Sequence, residues 1–401
     1  MNTRNCSHCG KPIEGNQLFC GYCGQPVPPP INTPTGNPTP TGNPSAGNAP
    51  AAGNDTLHSA AKAVQSGAST IVDKINEYVG NDAPADLNWK SLFTSVFEKH
   101  TTEEAEDIFV CGTKSTTPSP AEITREWPRP WLYSRVFVMF AVASVLLWIC
   151  CTAFSNPNAL PGLIVVASFT VPLSTLVLFM EVNAYRDISF YHIIKIFFVG
   201  GAASLVATLL LFSFFKLERL DLMGAILTGI IEEVGKAVIV FFFMKRLQRS
   251  SILNGLLMGA AVGAGFAAFE SAGYAMRFLF SGGWDMMMDV IFVRGFLTPG
   301  GHVTWAAITG AALAIASRSH GNVISTDLFT DGKFLRLFIL PVALHAAWDS
   351  PLSSLGADFY LIPAVLTITV WVIVLILINM GLAEINNYNR SIQPANPAKP
   401  S

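Results

Sequence analysis

The 401-residue chain is 51% hydrophobic and 13% charged, with 25 basic and 27 acidic residues and a formal net charge of −2. Soluble domains carry about 25% charged residues, so the composition points to a membrane, and the near-neutral balance leaves no electrostatic footprint for nucleic acid. The chain opens MNTRNCSHCGK, without the basic start and apolar run of a signal peptide, so the first membrane helix is expected to direct insertion.

Residues 1–26 are expected to form a zinc ribbon. Cys6, Cys9, Cys20 and Cys23 make two CxxC knuckles, each followed by glycine. Four thiolates at this spacing suit one structural, tetrahedral Zn²⁺ and leave no open position for catalysis. The segment is similar to the short zinc ribbons at the ends of many bacterial proteins. Metal-bound thiolates suit a reducing compartment, which places this end in the cytoplasm. There it would serve as a docking or regulatory module for a cytoplasmic protein partner. Cys111, Cys150 and Cys151 stand apart and are read as packed, inert thiols.

Residues 27–56 repeat PTGNP amid Pro, Gly, Asn, Thr and Ala and read as a disordered linker. Residues 57–130 read as juxtamembrane amphipathic helices. Within them, 57–80 and 87–110 are each expected to be helical, the second with a stripe of Trp89, Leu92, Phe93, Val96 and Phe97. Glu103, Glu104, Glu106 and Asp107 form a solvated face. Trp127, Trp131 and Tyr133 are placed like interfacial anchors.

Residues 131–384 form the expected membrane domain, all α-helical, with eight apolar spans at 135–154, 161–180, 190–215, 222–244, 252–280, 296–317, 335–352 and 360–382. Residues 385–401 read as a disordered tail. If the amino end is cytoplasmic, eleven basic residues flank the inner ends of the spans, from Arg125 to Arg390. Lys216, Arg219, Arg277 and Arg294 fall in the outer loops. The bias supports both termini inside.

Four spans carry ionisable groups, each costing about 2.5–3.5 kcal/mol at a helix centre. Glu232, Glu233 and Lys236 lie three and four apart on one face of the fourth span. A structural ion pair needs only one of those glutamates. Glu270 follows Gly255, Gly259 and Gly263, whose four-residue steps let a neighbouring helix approach closely, so it should face the bundle. His302 lies well inside the sixth span, with Ala306 and Gly310 below it. His345 and Asp349 are four apart on the seventh, where the carboxylate can fix the imidazole tautomer or both can ligate a metal. Taken singly, each group could be a structural polar contact; together they suggest one site.

Glu232-Glu233-x-x-Lys236, Phe266-x-x-x-Glu270, His302 and His345-x-x-x-Asp349 resemble the four motifs of the PrsW-type intramembrane proteases, relatives of the CAAX prenyl proteases. FMEVNAYRD at 179–187 and the glycine pair in FFVGGAAS at 197–204 add weaker similarity. The resemblance covers roughly residues 125–385. It implies cleavage of a membrane-anchored protein, in the best-known case an anti-sigma factor in signalling. It also implies that Glu232, Glu233 and His302 are catalytic, that Glu270, His345 and Asp349 complete the site, and that Lys236 holds the glutamates. Such an enzyme would sit in the bacterial cytoplasmic membrane as a multi-pass protein.

Peptide hydrolysis needs an activated water, a polarised carbonyl and a proton for the leaving amine. Either glutamate of the pair could take the proton from water. The absence of a contiguous HExxH leaves both a divalent metal at the membrane site and a metal-free glutamate mechanism open. Two other readings compete. Carboxylate–histidine chains also relay protons in ion-coupled transporters, although no strong internal duplication supports that fold. The domain could also be an inactive scaffold.

Overall fold

The structure is a computed structural model that describes residues 3–5, 12–14, 54–119, 122–215, 221–351 and 361–392. The chain divides into two units, 1–61 and 62–401. In the first, β1 (Thr3–Asn5) pairs antiparallel with β2 (Pro12–Glu14). Cys6, Cys9, Cys20 and Cys23 lie outside the described residues, as does most of the expected linker.

Helix α1 (Asn54–Val79) matches the first juxtamembrane expectation. The second does not form as one helix. It breaks into α2 (Ser91–Thr94) and α3 (Thr102–Phe109) because Thr101 starts a new helix. The Thr101 side chain accepts from the Glu104 amide while Glu104 accepts from the Thr101 amide, a reciprocal cap. Of the apolar stripe, Leu92 is buried, whereas Trp89, Phe93 and Phe97 are exposed. The acidic run is exposed as expected.

The membrane domain is all α: α4 (Leu132–Thr152), α5 (Leu160–Val182), α6 (Phe190–Lys195), α7 (Gly201–Phe214), α8 (Leu222–Leu247), α9 (Ile252–Leu297), α10 (His302–Ser317), α11 (Gly332–Asp349) and α12 (Leu361–Ile392). A wide π-type turn at Ile196–Gly200 joins α6 to α7. Five stretches are long and apolar enough to cross a membrane: Leu132–Thr152, Pro157–Val182, Phe190–Phe214, Ile252–Arg294 and Leu361–Ile385. The other three expected spans are helical but do not meet that standard. Helix α8 carries three charges at its middle, α10 is 16 residues long, and α11 carries Lys333, Arg336 and Asp349. Eight crossings are therefore not established by length and apolarity.

Helix α9 is the axis. Most of its first half is buried, while α4 turns most of its length outward. Apolar side chains on an outward helix are expected where the surrounding solvent is hydrocarbon. The tight joint is between α9 and α10. A Cβ at Gly255, Gly259 or Gly263 would fall on the carbonyl oxygen of Gly310, Ala306 or His302. Only glycine permits this approach, and the contact with the His302 carbonyl fixes the start of α10 against α9. On its opposite side, Gly265 meets Gly201 and the Phe197 carbonyl, which accounts for the second glycine of the pair at 200–201; the first faces Phe243 and Val262.

Polar side chains tie the ends of the bundle. Glu181 accepts the backbone amides of Trp131, Leu132 and Tyr133 at 2.8, 2.8 and 2.9 Å, so it caps α4 from α5. Asn183 donates to Asn254, Asn254 to Asp187, and Arg249 to the Asp187 carbonyl. The FMEVNAYRD stretch is thus built into the scaffold. Cys111 is buried with its thiol 3.7 Å from the Ile188 carbonyl, and burial raises its pKa, as an inert thiol requires.

Candidate active site

The carboxylates and imidazoles of four helices meet at one point. Helix α8 presents Glu232, Glu233 and Lys236 on one face, and all three are buried. The Lys236 ammonium lies 2.7 Å from Glu233 Oε1 and 3.7 Å from Glu232 Oε2. It also donates to His302 Nδ1 at 2.9 Å and sits 4.3 Å from the centre of the Phe266 ring. Lys236 therefore does more than hold the glutamates: it links α8 to α10.

His302 is not well inside its helix. It is the first residue of α10, preceded by a 3-10 turn at Thr298–Gly300 and by Gly301. The expected span from 296 runs across this turn, although Pro299, Gly300 and Gly301 signal it. With Nδ1 accepting from Lys236, the other ring nitrogen carries the proton and donates to Glu270 Oε2 at 2.9 Å. Nδ1 is left facing Glu232 Oε2 at 4.0 Å.

His345 and Asp349 complete the cluster from the last turns of α11. His345 Nδ1 lies 2.8 Å from Glu233 Oε1, so it donates there. Its Nε2 faces Asp349 Oδ2 at 3.3 Å and Glu232 Oε2 at 3.6 Å. In the neutral ring this nitrogen is bare, and it confronts two carboxylate oxygens with no proton to share. A second ring proton, a proton on one of the facing carboxyls or a bound cation would each satisfy this arrangement. Glu232, His302 and His345, all buried, each offer one ligand atom, and these atoms lie within 4.8 Å of one another. Glu232 Oε2, Glu233 Oε2 and the Trp305 indole nitrogen are buried there without hydrogen-bond partners.

Residues 189–378 match the model of the PrsW family of intramembrane metalloproteases. The chain carries a PrsW-type protease domain. Comparison with curated proteins gives no match, and neither does comparison with solved structures. The match contains all seven candidate residues of the protease, from Glu232 to Asp349.

Two residues beside the cluster are not among those the sequence singles out. Trp305 is fully buried one turn below His302, stacks on His345 at 4.5 Å and meets His302 edge-on at 4.9 Å. It holds both imidazole planes, yet a tryptophan in an apolar helix signals only packing. Arg294 is expected in an outer loop, but the segment is helical. Helix α9 breaks at Gly283, where φ is +80°, and resumes to Leu297. Its second half returns Arg294 to an ion pair with Glu270. An arginine within MMMDVIFVRGFL is the signal that could have found it, since ionisable groups in apolar runs are functional by default.

Proposed function

We propose that the domain is an endopeptidase that cuts a membrane-anchored protein within or next to the bilayer, with Glu233 as the general base. The observation that carries this is the Glu233 carboxylate itself. Lys236 and His345 pin its Oε1, while its Oε2 is buried without a partner. One oxygen is fixed and the other is free to take a proton from water and return it to the leaving amine. Asp349 steadies His345, and Glu270 steadies His302.

The donors fit a divalent cation. Glu232, His302 and His345 would hold it, a set that leaves a position open for water or substrate. Lys236 occupies the same nitrogen of His302, so ammonium and cation compete for it. When bound, the ion would polarise the scissile carbonyl and acidify water. The unpartnered Glu232 oxygen, within ligand reach of both imidazoles, supports a loaded site over the metal-free alternative.

Basic residues at the inner helix ends support a multi-pass protein of the bacterial cytoplasmic membrane with both termini in the cytoplasm. The four-cysteine segment would then bind structural Zn²⁺ on the cytoplasmic side and recruit a soluble partner through the linker. The resemblance supports an anti-sigma factor as the substrate.

The test is mass-spectrometric mapping of new protein N-termini in host membranes that contain the full chain or its Glu233→Gln variant. New termini in single-span proteins should appear with the wild type and disappear in the variant. A metal chelator should erase them and added Zn²⁺ restore them. Identical termini with both proteins would refute the assignment.

A further inference from the structure

Arg294 belongs to no motif of the resemblance, yet the fold spends a chain reversal to bring it home. Its guanidinium pairs with Glu270 Oε2, the oxygen that also accepts from His302. The arginine Nε donates to Ser271 Oγ at 3.0 Å, and the guanidinium carbon lies 4.8 Å from the centre of the Tyr274 ring. Three contacts on one turn of α9 therefore fix the guanidinium. The side chain remains 29% exposed, whereas Glu270 is 11% exposed. An isolated carboxylate at this depth would be neutral or would rotate toward water. The cation holds it in place, so that it can accept from an imidazole.

We infer that Arg294 is a positioning residue for the hydrolytic reaction: by clamping Glu270 it fixes the plane of His302 and, together with Lys236 at Nδ1, its tautomer. The chain of contacts runs Arg294, Glu270 and His302 Nε2, and leaves His302 Nδ1 facing Glu232. Carboxylate partners of ligating histidines set the tautomer in this way, and their loss costs about 10–100-fold in affinity or activity. Here the partner needs an anchor of its own, and the second half of α9 supplies it. The inference rests on the protease reading for its kinetic consequence, but not for its structural one.

The test uses the full-length protein in detergent micelles with ¹⁵N-labelled histidine rings, the His302 signals being assigned by their loss in His302→Gln. The wild type should show one His302 tautomer, protonated at Nε2. Arg294→Gln should show a mixture and lower kcat by about 10–100-fold on the host proteins whose cleavage needs Glu233, with KM little changed. Arg294→Lys should recover most of both. In a Glu270→Ala background, Arg294→Gln should add nothing, because the arginine acts only through that carboxylate. Ser271→Ala, which loosens the guanidinium and keeps its charge, should shift the tautomer in the same direction and guards against a misfolded arginine variant. A wild-type tautomer and kcat in Arg294→Gln, or a further loss in the Glu270→Ala background, would overturn the inference. If no protein is cleaved by the wild type, the protease reading fails, and the tautomer measurement still decides the role of Arg294.

Discussion

Glu181 and Glu233 are both glutamates inside apolar helices, and the protein treats them in opposite ways. Three backbone amides saturate both oxygens of Glu181. Its charge is dispersed into the start of α4, where free amides and the helix dipole favour an anion. Glu233 has no amide partner. It shares one oxygen between an ammonium and an imidazole, leaves the other without a partner, and lies beside Glu232. A buried acceptor left unpaired costs about 1–3 kcal/mol, a cost that a purely structural site would shed. The contrast separates a carboxylate that closes the scaffold from one kept open for chemistry.

That contrast breaks most sharply in activity. Glu233→Gln keeps the shape and the pinned oxygen but removes the base, so cleavage should fall by at least about 100-fold. The protein should still elute from detergent as a folded species on size exclusion. Next comes the geometry that surrounds the open carboxylate. Gly263→Val places a side chain on the His302 carbonyl and should move that residue outward. Displacements of about 1 Å cost roughly 100-fold, and Gly273→Ala, where a Cβ meets nothing within 4 Å, should be neutral in the same assay. Glu181→Ala should do the reverse of Glu233→Gln. It strands three amides and should lower stability by about 1–3 kcal/mol, read as an earlier thermal midpoint, while turnover per folded molecule stays the same. The smallest effect is expected at Cys111, whose thiol should react with a maleimide many times more slowly in the native protein than after denaturation. Equal losses of turnover in the Glu181 and Glu233 variants would dissolve the distinction.

Much of this was readable in the chain. The charged residues of α8, Glu270 and the His345–Asp349 pair stand out because ionisable groups in apolar helices demand partners, and the glycine steps before Glu270 announced the close helix contact. Other features depended on where the backbone turns. His302 begins α10 because a short 3-10 turn at Thr298–Gly300 interrupts the run, a break that Pro299, Gly300 and Gly301 signal. Arg294 reaches Glu270 because Gly283 breaks α9, and no periodicity marks that reversal. Trp305 is silent because its role lies in the orientation of its ring. Glu181 was visible as a charge, but its purpose needs the start of a helix some fifty positions away.

The glycine steps of α9 have a consequence for how the protein tolerates change. Where two backbones touch, even alanine is an intrusion, so variants at Gly255 and Gly259 should vanish from the membrane before their catalytic competence can be asked about. Variants at Glu233 should accumulate normally and simply fail to cut. A saturation library scored separately for abundance and for cleavage would therefore resolve the domain into two maps that meet at Gly263. One would trace the seam along which α9 and α10 are joined, and the other the atoms that meet the peptide.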